Sequence, residues 1–127
     1  SIDIVFNLRF SNELTQDDIK IKFEEILSSL DCQYEIIWNC SAEPFITDEG
    51  KLTKILQKVI KETIGIDSNL STTGGTSDAR FISKHAKETV EFGPLNQTAH
   101  KVNENINLKD LDNLEKIYYA ALCEILL

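Results

Sequence analysis

The feature that most constrains this chain is a double change of hydrophobic period within its first forty residues. Ile2, Ile4, Phe6, Leu8 and Phe10 alternate with Asp3, Val5, Asn7, Arg9 and Ser11. A period of two sends successive side chains to opposite faces, which predicts a strand with one buried face. Arg9 then falls on the face away from the apolar row. The period next lengthens. Thr15 with Asp18 has the form of a capping box, with Asp where Glu is usual. Behind it, Ile19, Phe23, Ile26, Leu27 and Leu30 share one helical stripe. After Asp31 the alternation returns in Cys32, Tyr34, Ile36, Trp38 and Cys40. The opening is therefore expected to be a β-α-β unit.

Ser41-Ala42-Glu43-Pro44 interrupts this pattern, and Pro44 both lacks a donor and restrains the residue before it. That stretch reads as a boundary or hinge. Thr47-Asp48-Glu49 reads as a helix entry, with negative charge favourable at the dipole. Leu52, Ile55, Leu56, Val59 and Ile60 form the helix's apolar stripe, and Gly65 suits its C-terminal end. Asn69–Thr73 and Thr89–Phe92 are β-prone runs. Between them lie Gly74-Gly75 and a short helix carrying Ala79, Phe81 and Ile82. Asn107 is placed to cap a final helix whose stripe is Leu111, Leu114, Tyr118, Ala121, Leu122 and Ile125. Strands alternating with helices predict an α/β fold.

The 127 residues suffice for one ordinary domain or two small pieces. A formal net charge of -8 argues against a nucleic-acid partner, because an acidic surface repels phosphate. No apolar run approaches the ~20 residues that span a bilayer, so no membrane partner is expected. No basic and apolar leader opens the chain. Cys32, Cys40 and Cys123 are odd in number and lack CxxC spacing, which predicts reduced thiols in a cytoplasmic protein. The chain begins at Ser1 within a strand-like pattern and contains no Met, so it reads as a piece of a longer protein. Removal of an initiator Met would also explain Ser1.

Three places could carry chemistry. Thr72-Thr73-Gly74-Gly75-Thr76-Ser77-Asp78 lies between a β-prone run and a helix start. Paired glycines let the backbone turn sharply and expose its N–H groups, and a helix start adds positive charge, which suits a carboxylate or phosphate. On its residues alone the same stretch reads first as a plain strand-to-helix turn with Ser77 or Asp78 as N-cap. No Lys follows the glycines, so it is not a Walker loop. His100 lies in a polar loop marked by Gly93-Pro94, where it is either a ligand-gathering residue or a surface histidine. Arg9 could clamp a carboxylate or simply be an exposed strand residue. No second ligand stands near His100 in sequence, and a zinc site needs three or four. His85 and the acidic residues of the helices read as solvated.

Taken together, the segments resemble a known family. Thr72-Thr73-Gly74-Gly75-Thr76-Ser77-Asp78-Ala79-Arg80-Phe81-Ile82 resembles a signature of the succinyl-diaminopimelate desuccinylases, within the co-catalytic zinc aminoacylases and carboxypeptidases. Gly93-Pro94-Leu95-Asn96-Gln97-Thr98-Ala99-His100-Lys101-Val102-Asn103-Glu104 is similar to the second signature, at the expected distance. Phe6–Ser11 and Pro44–Thr47 match as well, so the resemblance covers nearly the whole chain. Ala79 and Ala99 depart from it, standing where Gly and a larger apolar residue are usual.

The resemblance implies that residues 1–41 are the last β-α-β of an inserted dimerisation domain. Residues 42–127 would be the C-terminal part of a zinc catalytic domain. It implies His100 as a metal ligand, and Arg9, Gly75, Thr76 and Asn96 as substrate contacts. It implies two zinc ions per active site, with one ligand in this chain and the remaining ligands and the general-base Glu elsewhere. The expected substrate is a small acidic N-acyl diamino acid, cleaved by a cytoplasmic homodimer. The isolated chain is expected to be inactive. The alternatives are another N-acyl amino acid deacylase of the same family, or a small-molecule-binding regulatory α/β module. An upstream HxD motif and a Glu-Glu pair would separate the hydrolase from the module.

Overall fold

A computed structural model describes residues 2–73, 75 and 77–127, apart from the side chain of Asn96. Its helices are α1 (Gln16–Ser28), α2 (Lys51–Ile64), α3 (Ala79–Ile82) and α4 (Leu108–Leu126), with a 3₁₀ turn at Asn96–Thr98. Among the described residues there is no strand, so the α/β expectation, with its opening β-α-β, is overturned. Alternation records which face of a segment would be buried. A strand also needs a neighbour whose N–H and C=O groups complete the ladder. Residues 2–10, 32–40, 69–73 and 89–92 have no such neighbour among the described residues. The chain divides into two compact units, Ser1–Ile46 and Thr47–Leu127.

In the first unit the capping box forms. The Thr15 hydroxyl accepts the Asp18 N–H at 3.1 Å, and the Asp18 carboxylate accepts the Thr15 N–H at 2.9 Å and its hydroxyl at 2.7 Å. From the helix stripe, Phe23 stacks on Phe6 with centroids 4.9 Å apart and meets Trp38 edge-on at 5.6 Å. Trp38 Nε1 donates to Glu24 at 3.1 Å. No described residue of this unit is fully buried, and Ile26 and Leu30 of the stripe are exposed. The aromatic trio therefore holds the unit in place of a core.

The second unit has a core. Ile55, Leu56, Val59 and Ile60 of α2 are buried against Ile117 and Ala121 of α4. Thr53 is buried as well, and its hydroxyl is satisfied by the Gly50 carbonyl at 3.1 Å and the Gly50 N–H at 2.8 Å. Gly65 ends α2 at φ 74°, a left-handed conformation that glycine adopts at little cost. Negative charge does reach the start of α2, but Glu88 supplies it in place of Asp48 or Glu49. The Glu88 carboxylate accepts the Lys51 N–H at 3.1 Å and the Leu52 N–H at 2.7 Å. Asn107 caps α4 by accepting the Lys109 N–H at 2.9 Å. The buried face of α4 differs from the expected stripe. Ile117 and Ala121 are buried, whereas Leu111, Tyr118, Leu122 and Ile125 are exposed. α4 is apolar on more than one face, and contact with α2 selects the face centred on Ile117. The adjoining face borders an open apolar groove lined by Leu52, Val90, Phe92, Tyr118, Leu122 and Ile125.

Candidate functional site

The site residues of the second unit sit on two loops joined by segment 88–92. That segment is tied down along its length. Glu88 is bonded to the start of α2. Thr47 Oγ1 donates to the Thr89 carbonyl at 2.7 Å and accepts the Thr89 N–H at 3.1 Å. The Tyr118 hydroxyl donates to the Phe92 carbonyl. Glu91 accepts the Ser77 N–H at 2.9 Å and the Ser77 hydroxyl at 2.8 Å. Glu91 thus connects the end of the glycine loop to the segment that feeds the His100 loop.

On the glycine loop, Gly75 is exposed, and a Cβ there would meet nothing within 4 Å. Gly74 and Thr76 lie outside the described residues. The loop runs into α3 by way of Ser77, whose hydroxyl accepts the Ala79 N–H at 3.2 Å. Asp78 occupies the N-cap position without a side-chain bond. Arg80 follows, its guanidinium 4.9 Å from the Phe81 ring centroid. Arg80 Nε is buried with no hydrogen-bond partner among the described residues. Residue type and spacing do not signal this cation, because burial of a donor without a partner is a property of the fold.

Asn96 opens the 3₁₀ turn of the second loop. His100 follows at φ 61° and is exposed. Thr98 and Asn105 close the loop through the Thr98 hydroxyl, at 2.8 and 3.2 Å. Thr98, Glu88 and Glu91 were not among the sequence candidates. Their partners lie far along the chain or on backbone groups, and residue type alone does not signal such contacts. Arg9 belongs to the first unit, where it is exposed and pairs with no carboxylate among the described residues. All three cysteines are free thiols.

Among the described residues no group of three or more His, Cys, Asp or Glu side chains is placed to hold a metal. One exposed imidazole falls short of the three or four ligands zinc takes. These residues do not hold the metal by themselves. No helix among the described residues is long and apolar enough to cross a membrane.

The chain is 42% identical over 125 residues to a succinyl-diaminopimelate desuccinylase of Thioalkalivibrio sulfidiphilus, covering 98% of this chain and 33% of that protein. It is 44% identical over 126 residues to the enzyme of that name from Nitrosomonas europaea, covering 99% of this chain and 34% of that protein. A Nitrosomonas eutropha protein of the same name is 40% identical over 126 residues, with 99% and 33% covered. The chain thus spans about a third of the length of these curated relatives. The model of peptidase family M20/M25/M40 matches residues 2–124, which include both loops, and the chain belongs to that family.

Proposed function

We propose that the protein to which this chain contributes is a metal-dependent amide hydrolase acting on N-succinyl-LL-2,6-diaminopimelate. The products are succinate and LL-2,6-diaminopimelate, in lysine and diaminopimelate biosynthesis. The observation that carries this reading is 40–44% identity to three succinyl-diaminopimelate desuccinylases over 98–99% of the chain. In this reading His100 supplies one zinc ligand, and the others come from residues outside this chain. Arg9, Gly75, Thr76 and Asn96 contact the substrate, whose carboxylates suit a guanidinium and backbone N–H groups. Residues 1–41 belong to a dimerisation domain and residues 42–127 to the catalytic domain of a cytoplasmic homodimer. No bond-making step falls to a residue of this chain.

The test is succinate release from N-succinyl-LL-2,6-diaminopimelate by the longer protein, the 127-residue chain and His100→Ala in the longer protein. Turnover is expected from the longer protein and none from the chain alone. His100→Ala should lose metal content and rate together. Turnover of other N-acyl amino acids but not of this substrate would defeat the substrate assignment. Full metal occupancy with a near-normal rate in His100→Ala would return His100 to the surface.

A further inference from the structure

The loop that carries His100 is closed by one side chain. The Thr98 hydroxyl donates to the Asn105 carbonyl at 2.8 Å and accepts the Asn105 N–H at 3.2 Å. One oxygen thereby satisfies both backbone groups of Asn105 and joins the ends of loop 98–105. Two backbone bonds brace the interior. The Lys101 N–H donates to the Thr98 carbonyl at 3.0 Å, and the Glu104 N–H to the Lys101 carbonyl at 3.2 Å. Inside this frame His100 and Asn103 take left-handed backbone conformations, at φ 61° and 64°. Such conformations are uncommon for residues with a Cβ and persist where the surroundings over-determine them. Here the surroundings are the Thr98 clasp, its two braces, and two side-chain bonds, from Asn105 Nδ2 to the Asn103 carbonyl at 2.8 Å and from Lys101 Nζ to the Gln97 carbonyl at 2.6 Å.

We propose that Thr98 is a positioning residue: its hydroxyl closes loop 98–105 and so sets the direction in which the backbone presents the His100 imidazole. The proposal rests on the reading of His100 as a site residue. Thr98 is half-buried and acts through the loop, not on reacting atoms. Its oxygen must donate and accept at once, which a hydroxyl can do and a methyl cannot. Thr98→Val keeps the shape but leaves both Asn105 groups without their partner. Thr98→Ser keeps the oxygen.

Two measurements test this. In the 127-residue chain, the Asn105 amide should be protected from hydrogen exchange, and His100 should show the coupling and short intraresidue distances of a left-handed φ. His85 is the other histidine of the chain and serves as internal control. Thr98→Val should abolish both signals without moving His85, and Thr98→Ser should keep them. In the longer protein, Thr98→Val should lower kcat about tenfold to a hundredfold with KM nearly constant, as expected for a misplaced group, and Thr98→Ser should restore it. An Asn105 amide exchanging at the free-peptide rate in the unaltered chain overturns the clasp without recourse to a variant. Loss of the His100 conformation with unchanged kcat overturns the positioning role. An unchanged kcat in His100→Ala overturns the functional reading of His100 and the positioning role with it, while Asn105 protection still reports on the clasp separately.

Discussion

Arg9 stands exposed in the first unit, and its guanidinium is free to meet a carboxylate from outside the chain. In the longer protein, Arg9→Ala should remove one charge-assisted pair. That loss is on the order of 1.5–3 kcal/mol, or about tenfold to a hundredfold in kcat/KM, with metal content unchanged. Comparing succinylated with acetylated substrate tells whether Arg9 reads the succinyl carboxylate, and equal losses on both would show that it does not. A second residue-scale effect concerns pH. The Thr15 hydroxyl, and then the Thr15 backbone N–H, bond the Asp18 carboxylate and hold its pKa below the ordinary carboxylate value. A folded pKa below the unfolded one means the stabilisation is complete above the unfolded value and is lost as pH falls through the folded one. The start of α1 should therefore fray on acidification below the ordinary carboxylate range. Exchange of the Thr15 and Asp18 amides across that range measures it. Asp18→Asn should flatten the profile, and a profile unchanged by that substitution would disprove the assignment.

At the scale of elements, the start of α2 depends on a residue 36 to 37 positions further along the chain. Glu88 supplies two charge-assisted bonds to the first free N–H groups of the helix, where an anion is favoured. Gly50 makes room for it. A Cβ at Gly50 would lie 2.5 Å from Glu88 Cδ and 2.5 and 2.7 Å from its two oxygens. Gly50 itself is extended, at φ -136°, so glycine there serves not backbone freedom but the space in which the Glu88 carboxylate can stay bonded to the helix. Gly50→Ala and Glu88→Ala should each destabilise the second unit by about 0.5–2 kcal/mol, the usual range for losing a helix cap. The pair should be less than additive, because both remove the same bonds. Urea unfolding of the two single variants and the double variant decides it, and strict additivity would show that Gly50 serves something other than Glu88. Between helices, Lys58 of α2 bonds Glu124 of α4 at 2.7 Å, and this pairing raises the Lys58 pKa. The pair is exposed, so the α2–α4 contact is held by Val59 and Ile117 far more than by charge.

For the molecule as a whole, burial is uneven. Among the described residues every buried one lies in the second unit, while Val5, Ile37 and Val102 are exposed at 98%, 88% and 92%. Hydrogen exchange should therefore be slowest for the amides of α2 from Ile55 to Ile60 and of α4 near Ile117. Amides of α1 should exchange at least tenfold faster, since few buried contacts resist their local opening. Equal protection of α1 and α2 would contradict this. The same exposure predicts self-association, because large apolar side chains left in water gain free energy when another chain covers them. Sedimentation over a concentration series should show a rising average mass. A mass constant at 14.4 kDa up to high concentration would refute it.

Helix positions were legible from local order because caps and stripes are written within a few residues of each other. Thr15 with Asp18, Gly65 and Asn107 mark ends that the structure keeps. The family was legible in Thr72–Ile82 and Gly93–Glu104, where many residue types coincide at fixed spacing, and the match to residues 2–124 agrees. The alternating segments misled, because period two encodes a buried face while a strand exists only once another segment pairs with it. Which face of α4 is buried, which carboxylate caps α2, and which hydroxyl closes the His100 loop were decided by tertiary structure. Each is a contact between residues distant in sequence or between a side chain and backbone, set by packing and hydrogen-bond geometry that residue identity alone does not carry.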